Sequence, residues 1–203
     1  FAEVFPDGRC SLGIKEAFGY LMDLKKGTTE DMTAVSTLMN TCKVINSTDD
    51  IQNLYEHYSS GFEYMSMTDY PYPSAFLEPM PAWPINVSCQ AFKDIAPLNE
   101  TSHYDSKVGL TDRQIQVLTA LNTSASVYFN YQNQTSCTNF SDTEGTGTLD
   151  AGGWDVLACN ELPMPISRSA ESMFIKEDFN YTKYTEDCQK NFGLTPQYDW
   201  ALT

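Results

Sequence analysis

Only two side chains in this sequence could serve as an imidazole base, His57 and His103. His57 lies between Tyr55 and Tyr58 in an apolar-periodic stretch, the setting of a packing or surface histidine rather than a catalytic one. His103 falls in the polar string NETSHYDS, residues 99–106, which reads as a loop and invites the same weighting. There is no G-x-S-x-G elbow, no phosphate loop, no H-E-x-x-H and no G-x-G-x-x-G. Carboxylates are plentiful, but Asp49, Asp50, Glu186 and Asp187 fall where helix N-termini attract acids. Spacing permits a paired-carboxylate glycosidase, yet nothing favours one. The chain therefore presents no complete catalytic machinery, and neither a metal nor a cofactor is expected.

The remaining reactive side chains are six cysteines, Cys10, Cys42, Cys89, Cys137, Cys159 and Cys188, widely spaced and without a C-x-x-C pair. That is poor geometry for zinc and ordinary for three disulfides, with fifteen connectivities open to sequence alone. Asn-x-Ser/Thr sequons stand at Asn46, Asn86, Asn99, Asn122, Asn133, Asn139 and Asn180. Seven is far above chance and points, with the cysteines, to the secretory pathway and a secreted or lysosomal location.

With 203 residues, 41% hydrophobic and 13% aromatic, the chain is expected to fold as a single domain over 1–203. The net charge of −15, with only 12 Lys and Arg, argues against nucleic acid, because each phosphate contact needs a cation. No apolar run approaches the length of a bilayer span, so no membrane partner is expected. The start, FAEVFPDGRC, has neither a basic nor an apolar region of the kind a signal peptide carries.

Five helices are predicted to form the framework. The first spans 10–26, with Leu12, Ile14, Phe18, Leu21 and Met22 near helical spacing and Gly27 as its stop. A second spans 30–42. A third follows an N-cap at Thr48 and carries Ile51, Leu54, Tyr55, Tyr58, Phe62 and Met65 on one side. A fourth starts at the N-cap Thr111, with Ile115, Leu118, Leu121 and Val127, and a short fifth runs from about Thr185 to Gly193. Five prolines in 69–84 forbid helix or central strand there, and that segment's aromatic rings are expected to pack onto the helices as an extended strap. Residues 139–153, rich in Ser, Thr, Asp and Gly, read as a loop.

Three strings then carry a resemblance. MTDYPYPSAFLEPMPAWPINVSC, residues 67–89, GWDVLACNELPMP, residues 153–165, and the run from Met173-Phe174 through Asp187-Cys188 to Gly193, Pro196 and Trp200 occur in one order over nearly the whole chain. Together they resemble the secreted serine peptidases that include lysosomal prolyl carboxypeptidase and dipeptidyl peptidase II. The resemblance implies a mainly α, disulfide-stapled cap inserted into an α/β-hydrolase-type exopeptidase, with 154–203 leading back toward the hydrolase domain. The family's catalytic serine precedes the matched region and its Asp and His follow it, so none of this chain's residues is expected to be catalytic.

The resemblance also implies the pairs Cys10–Cys89, Cys42–Cys137 and Cys159–Cys188, each worth about 3 to 5 kcal/mol in the chain-entropy picture. Relatives carry a further cysteine near Ser167, so that tether to the hydrolase domain is absent here. Met164 matches a methionine that walls an apolar pocket for proline, although a methionine between prolines also serves as core filler. Asp155 falls where the dipeptidyl peptidase branch places an acid for the substrate's free amino terminus, and it also reads as a solvated loop acid. The implied partners are the parent's own hydrolase domain and peptides with proline near a terminus, and a homodimer stays open. The alternative function is a secreted binding glycoprotein or a catalytically degenerate relative.

Overall fold

The computed structural model describes residues 1–97, 109–141 and 151–199, the side chain of Ala151 excepted. His103 and Asn99 lie outside the described residues. The chain divides into two compact units, Phe1–Thr143 and Glu144–Thr203. Among the described residues there are helices and isolated bridges but no strands, so the fold is mainly α.

The first unit is built from α1 (Arg9–Asp23), α2 (Thr29–Leu38), α3 (Thr48–Met67), α4 (Pro84–Cys89) and α5 (Asp112–Phe129), with short 3-10 turns after α1 and α4. Each helix starts where the sequence can satisfy its first amides. Thr28 and Asp31 cap α2 reciprocally, and Thr111 and Gln114 do the same for α5. Ser47, rather than Thr48, caps α3 by accepting from the Asp50 amide, with Asp49 and Asp50 in the first turn.

The core follows from helical spacing. Cys10, Gly13, Ile14, Ala17, Phe18 and Leu21 form the inner stripe of α1. Phe18 meets Tyr55 and Phe62 of α3 edge-on, with ring centroids 4.9 and 6.1 Å apart. The central α5 packs on α1, α3 and α4, and its buried stripe runs through Gln114, Val117, Leu118, Leu121, Ala125 and Tyr128. Arg113 of α5 donates to both oxygens of Glu16 on α1, at 2.8 and 2.6 Å. Two glycines set the closest approaches: a Cβ at position 13 would overlap the buried Phe92 ring, and one at 61 would meet Phe129.

Leu12 and Ile115, expected among the apolar stripes, are exposed instead. Leu12 stands two residues beyond Cys10, a rotation of about 200° that turns it from the core. Ile115 follows the buried Gln114 by one residue and is turned about 100° off the stripe of α5.

The strap is extended until Pro84, which opens α4 at its first position. Its backbone closes on itself: Ser74 and Met80 form an antiparallel bridge, and the Trp83 amide donates to the Tyr70 carbonyl at 2.8 Å. Met80 is buried as expected, but Tyr72, Phe76 and Trp83 are 58%, 59% and 52% exposed. Tyr72 stacks on Tyr70 at 5.4 Å, so part of the strap's aromatic surface is spent within the strap and not on the helices.

The second unit holds α6 (Ala151–Ala158) and α7 (Tyr181–Phe192). The stretch 139–153, read as a loop, already contains the start of α6 at 151, and 142–150 lies outside the described residues. Gly152 and Gly153 are in the first turn of α6, and the apolar run behind them carries the helix to Ala158. Helix α7 begins at Tyr181, not near Thr185, because the Asn180 side chain accepts from the Lys183 amide, and it ends at Gly193 in the left-handed region, φ 68°. Glu186 and Asp187 therefore lie inside α7, where Asp187 pairs with Lys183 one turn away.

Three disulfides staple the units: Cys10–Cys89 and Cys42–Cys137 in the first, Cys159–Cys188 in the second. These are the same pairs that the resemblance implied. They account for all six cysteines.

Candidate functional site

Asp155 and Met164, the two residues expected to meet substrate, both belong to the second unit. Asp155 lies on α6, exposed, with its carbonyl accepting from the Cys159 amide at 2.9 Å. Its carboxylate acts on Tyr184 of α7. Burial is the main cause of the raised pKa of that phenol, and the charges of Tyr198 and Asp155 add to it. The Tyr184 hydroxyl donates to the Ala158 carbonyl at 3.0 Å, and Cys159–Cys188 links the end of α6 to α7. Helix α6 is thus held by a hydrogen bond and a covalent bond, with Asp155 left at the solvent.

Met164 follows on an extended segment, where its carbonyl accepts from the Ile166 amide at 2.9 Å. It is exposed, as are Trp154, Val156, Leu157, Leu162 and Ile166, the last at 68%. Core filler is buried, and Met164 is not. So much apolar surface around one short helix and its following segment is unusual for a solvated face. No sequence signal marks this run, because its apolar residues follow neither a helical nor an alternating period across Pro163 and Pro165.

An aromatic cluster links α7 to the segments on either side of it. Phe179 contacts Tyr181 and Tyr184 at 4.9 and 5.2 Å, and Tyr198 contacts Tyr181 at 5.0 Å. The Gln197 amide donates to the Asn160 carbonyl at 2.8 Å, holding the return segment against the end of α6. The Ser167 hydroxyl accepts from the Phe179 amide at 3.0 Å, beside the Arg168–Glu177 bridge.

In the first unit, His57 packs flat against Phe129 at 3.8 Å and edge-on to Tyr58. Its Nε2 is buried without a hydrogen-bond partner among the described residues, and burial lowers its pKa from 6.5 to about 4. A ring so placed is a packing element, as its apolar neighbours in the sequence suggested. Of the sequon asparagines, Asn46, Asn86, Asn133, Asn139 and Asn180 are exposed, and Asn122 is half-buried in α5.

Residues 4–200 match the serine carboxypeptidase S28 family. The chain belongs to that family. It is 35% identical to the lysosomal Pro-X carboxypeptidase of Bos taurus over 196 residues, covering 96% of this chain and 36% of the relative. The Homo sapiens lysosomal Pro-X carboxypeptidase is 33% identical over 168 residues, 81% of this chain and 30% of its own. The prolyl carboxy peptidase like protein 5 of Caenorhabditis elegans is 29% identical over 156 residues, 73% of this chain and 28% of its own. The chain spans about a third of the length of the curated relatives it matches. No helix among the described residues is long and apolar enough to cross a membrane.

Proposed function

We propose that this chain is the helical cap of a proline-selective serine exopeptidase and that it carries no catalytic group itself. The observation that carries the reading is a match to a serine peptidase family over residues 4–200, in a helical chain about a third as long as its relatives. In this reading the hydrolase domain lies elsewhere in the parent chain, and the cap narrows access so that only peptide ends reach the serine. Met164, solvent-facing within the apolar segment Leu162–Ile166, offers a thioether wall to a pyrrolidine ring. Asp155, exposed on a helix fixed by Cys159–Cys188, offers a carboxyl group to a substrate's terminal ammonium, which favours aminodipeptidase polarity. Three disulfides, the sequons and the lysosomal names of the relatives support a secreted or lysosomal glycoprotein.

The test uses the full-length parent with an Ala-Pro reporter and an X-Pro-Phe peptide. Met164→Ala is expected to lower kcat/KM for its proline substrate about 10-fold, the scale of losing apolar pocket contacts. Asp155→Asn is expected to depress Ala-Pro turnover alone. Hydrolysis of either substrate by the isolated 203-residue chain would sink the non-catalytic assignment.

A further inference from the structure

The second unit is short of a core. Among its described residues only Cys159, Cys188 and Pro196 are buried, whereas the first unit encloses Ile14, Phe18, Phe62 and Phe92 completely. Apolar side chains are not lacking, since Trp154, Val156, Leu157, Leu162, Met164 and Ile166 stand 40–68% exposed. A unit as short as Glu144–Thr203, with one disulfide, gains too little internal burial to leave that much apolar surface in water.

Helix geometry tells which side is left over. At about 100° per residue, Trp154, Val156 and Leu157 fall within an arc of about 160° on α6. Cys159, bonded to Cys188 of α7, is turned about 140° from the middle of that arc, and Asp155 lies opposite the middle. One side of α6 is therefore fastened to α7, and its apolar side is turned elsewhere. The segment after the helix adds Leu162, Met164 and Ile166. Over 152–166 the only charged residues are Asp155 and Glu161, and no sequon falls between Asn139 and Asn180. Aromatic and aliphatic side chains with so little charge among them have the composition of an interface centre.

A second copy is a poor occupant, because two chains of net charge −15 repel each other. A covalent neighbour is better placed, since this chain accounts for only 36% of the Bos taurus relative. We infer that the apolar side of α6 and the segment Leu162–Ile166 are the seat of the rest of the parent chain, its hydrolase domain, and that the second unit completes its core only by docking there. The inference rests on the reading of this chain as a cap. Asp155, on the other side of α6, stays outside the contact.

The test is hydroxyl-radical footprinting of the full-length parent, folded and in urea, read residue by residue by mass spectrometry. Ile166 and Met67 are equally exposed in this chain, at 68% each, so Met67 of α3 serves as the internal control. Folding of the parent is expected to protect Leu157, Leu162 and Ile166 several-fold, and Met67 far less, at every protein concentration. No protection of the three in a parent that hydrolyses the Ala-Pro reporter or the X-Pro-Phe peptide overturns this inference alone. Protection that fades on dilution assigns the face to a second copy and overturns it too, as does equal protection of Met67. Protection in a parent without peptidase activity upholds the docking and counts against the cap reading. In a second measurement, Ile166→Glu is expected to lower the thermal midpoint of the full-length protein by several degrees, and Met67→Glu to leave it unchanged. Equal shifts overturn the inference, and if Ile166→Glu is not recovered folded, the wild-type footprint decides.

Discussion

Replacing His57 with phenylalanine should make the first unit less sensitive to mild acid. The folded protein holds this imidazole neutral, because burial lowers its pKa to about 4 and Nε2 has no hydrogen-bond partner among the described residues. The unfolded chain returns it to about 6.5. With the folded value below the unfolded one, the contribution to stability is fully present above pH 6.5 and is lost as pH falls toward 4. Linkage between those two values gives a loss of about 2 kcal/mol on moving from pH 7.5 to pH 5. The lowered carboxylates do not interfere in that window. For Asp50, burial alone would raise the pKa, but the Lys43 ammonium and the Asn46 amide hold it below the usual value, so it titrates at lower pH. Phenylalanine keeps a ring to stack on Phe129 without a titrating nitrogen. The assay is urea unfolding by far-ultraviolet circular dichroism at both pH values, disulfides intact, for wild type and His57→Phe. The wild type should lose about 2 kcal/mol more than the variant. Equal losses would refute a neutral buried imidazole.

Two further substitutions probe the packing of α1. Gly13→Ala should cost about 1–3 kcal/mol, because the new methyl overlaps the fully buried Phe92 ring, and a lowered urea midpoint at unchanged slope checks it. Glu16→Gln leaves Arg113 without its two-oxygen partner and should cost about 1.5–3 kcal/mol; thermal unfolding unaffected by the change would show the pair to be idle.

Helices were readable where one face had to be apolar. The stripe through Ile14, Phe18 and Leu21 and the one through Leu54, Tyr58 and Phe62 are set by the 3.6-residue period, and both are buried. Boundaries were less legible because caps compete locally: Ser47 and Thr48 have equivalent hydroxyls, and only the backbone decides that Ser47 accepts from Asp50. Asn180 shows the same difficulty, since its capping role moves the start of α7 to Tyr181. The strap was legible as non-helical from its prolines but not in its exposure, because proline content says nothing about which neighbours the rings meet. At the candidate site, residue type suggested roles for Met164 and Asp155, while the exposed apolar run around them is a tertiary property with no period to betray it.

The bridges Cys10–Cys89 and Cys42–Cys137 overlap along the chain, and overlap has a consequence for durability. A peptide bond cut anywhere between residues 10 and 137 leaves two pieces still joined by at least one sulfur link. The same holds from 159 to 188. Between Cys10 and Cys188, only a cut in the stretch from 137 to 159 parts the molecule. Exposed to proteases, the first unit would tolerate a nick as a scar and not as a loss, running as one band until a reductant is added.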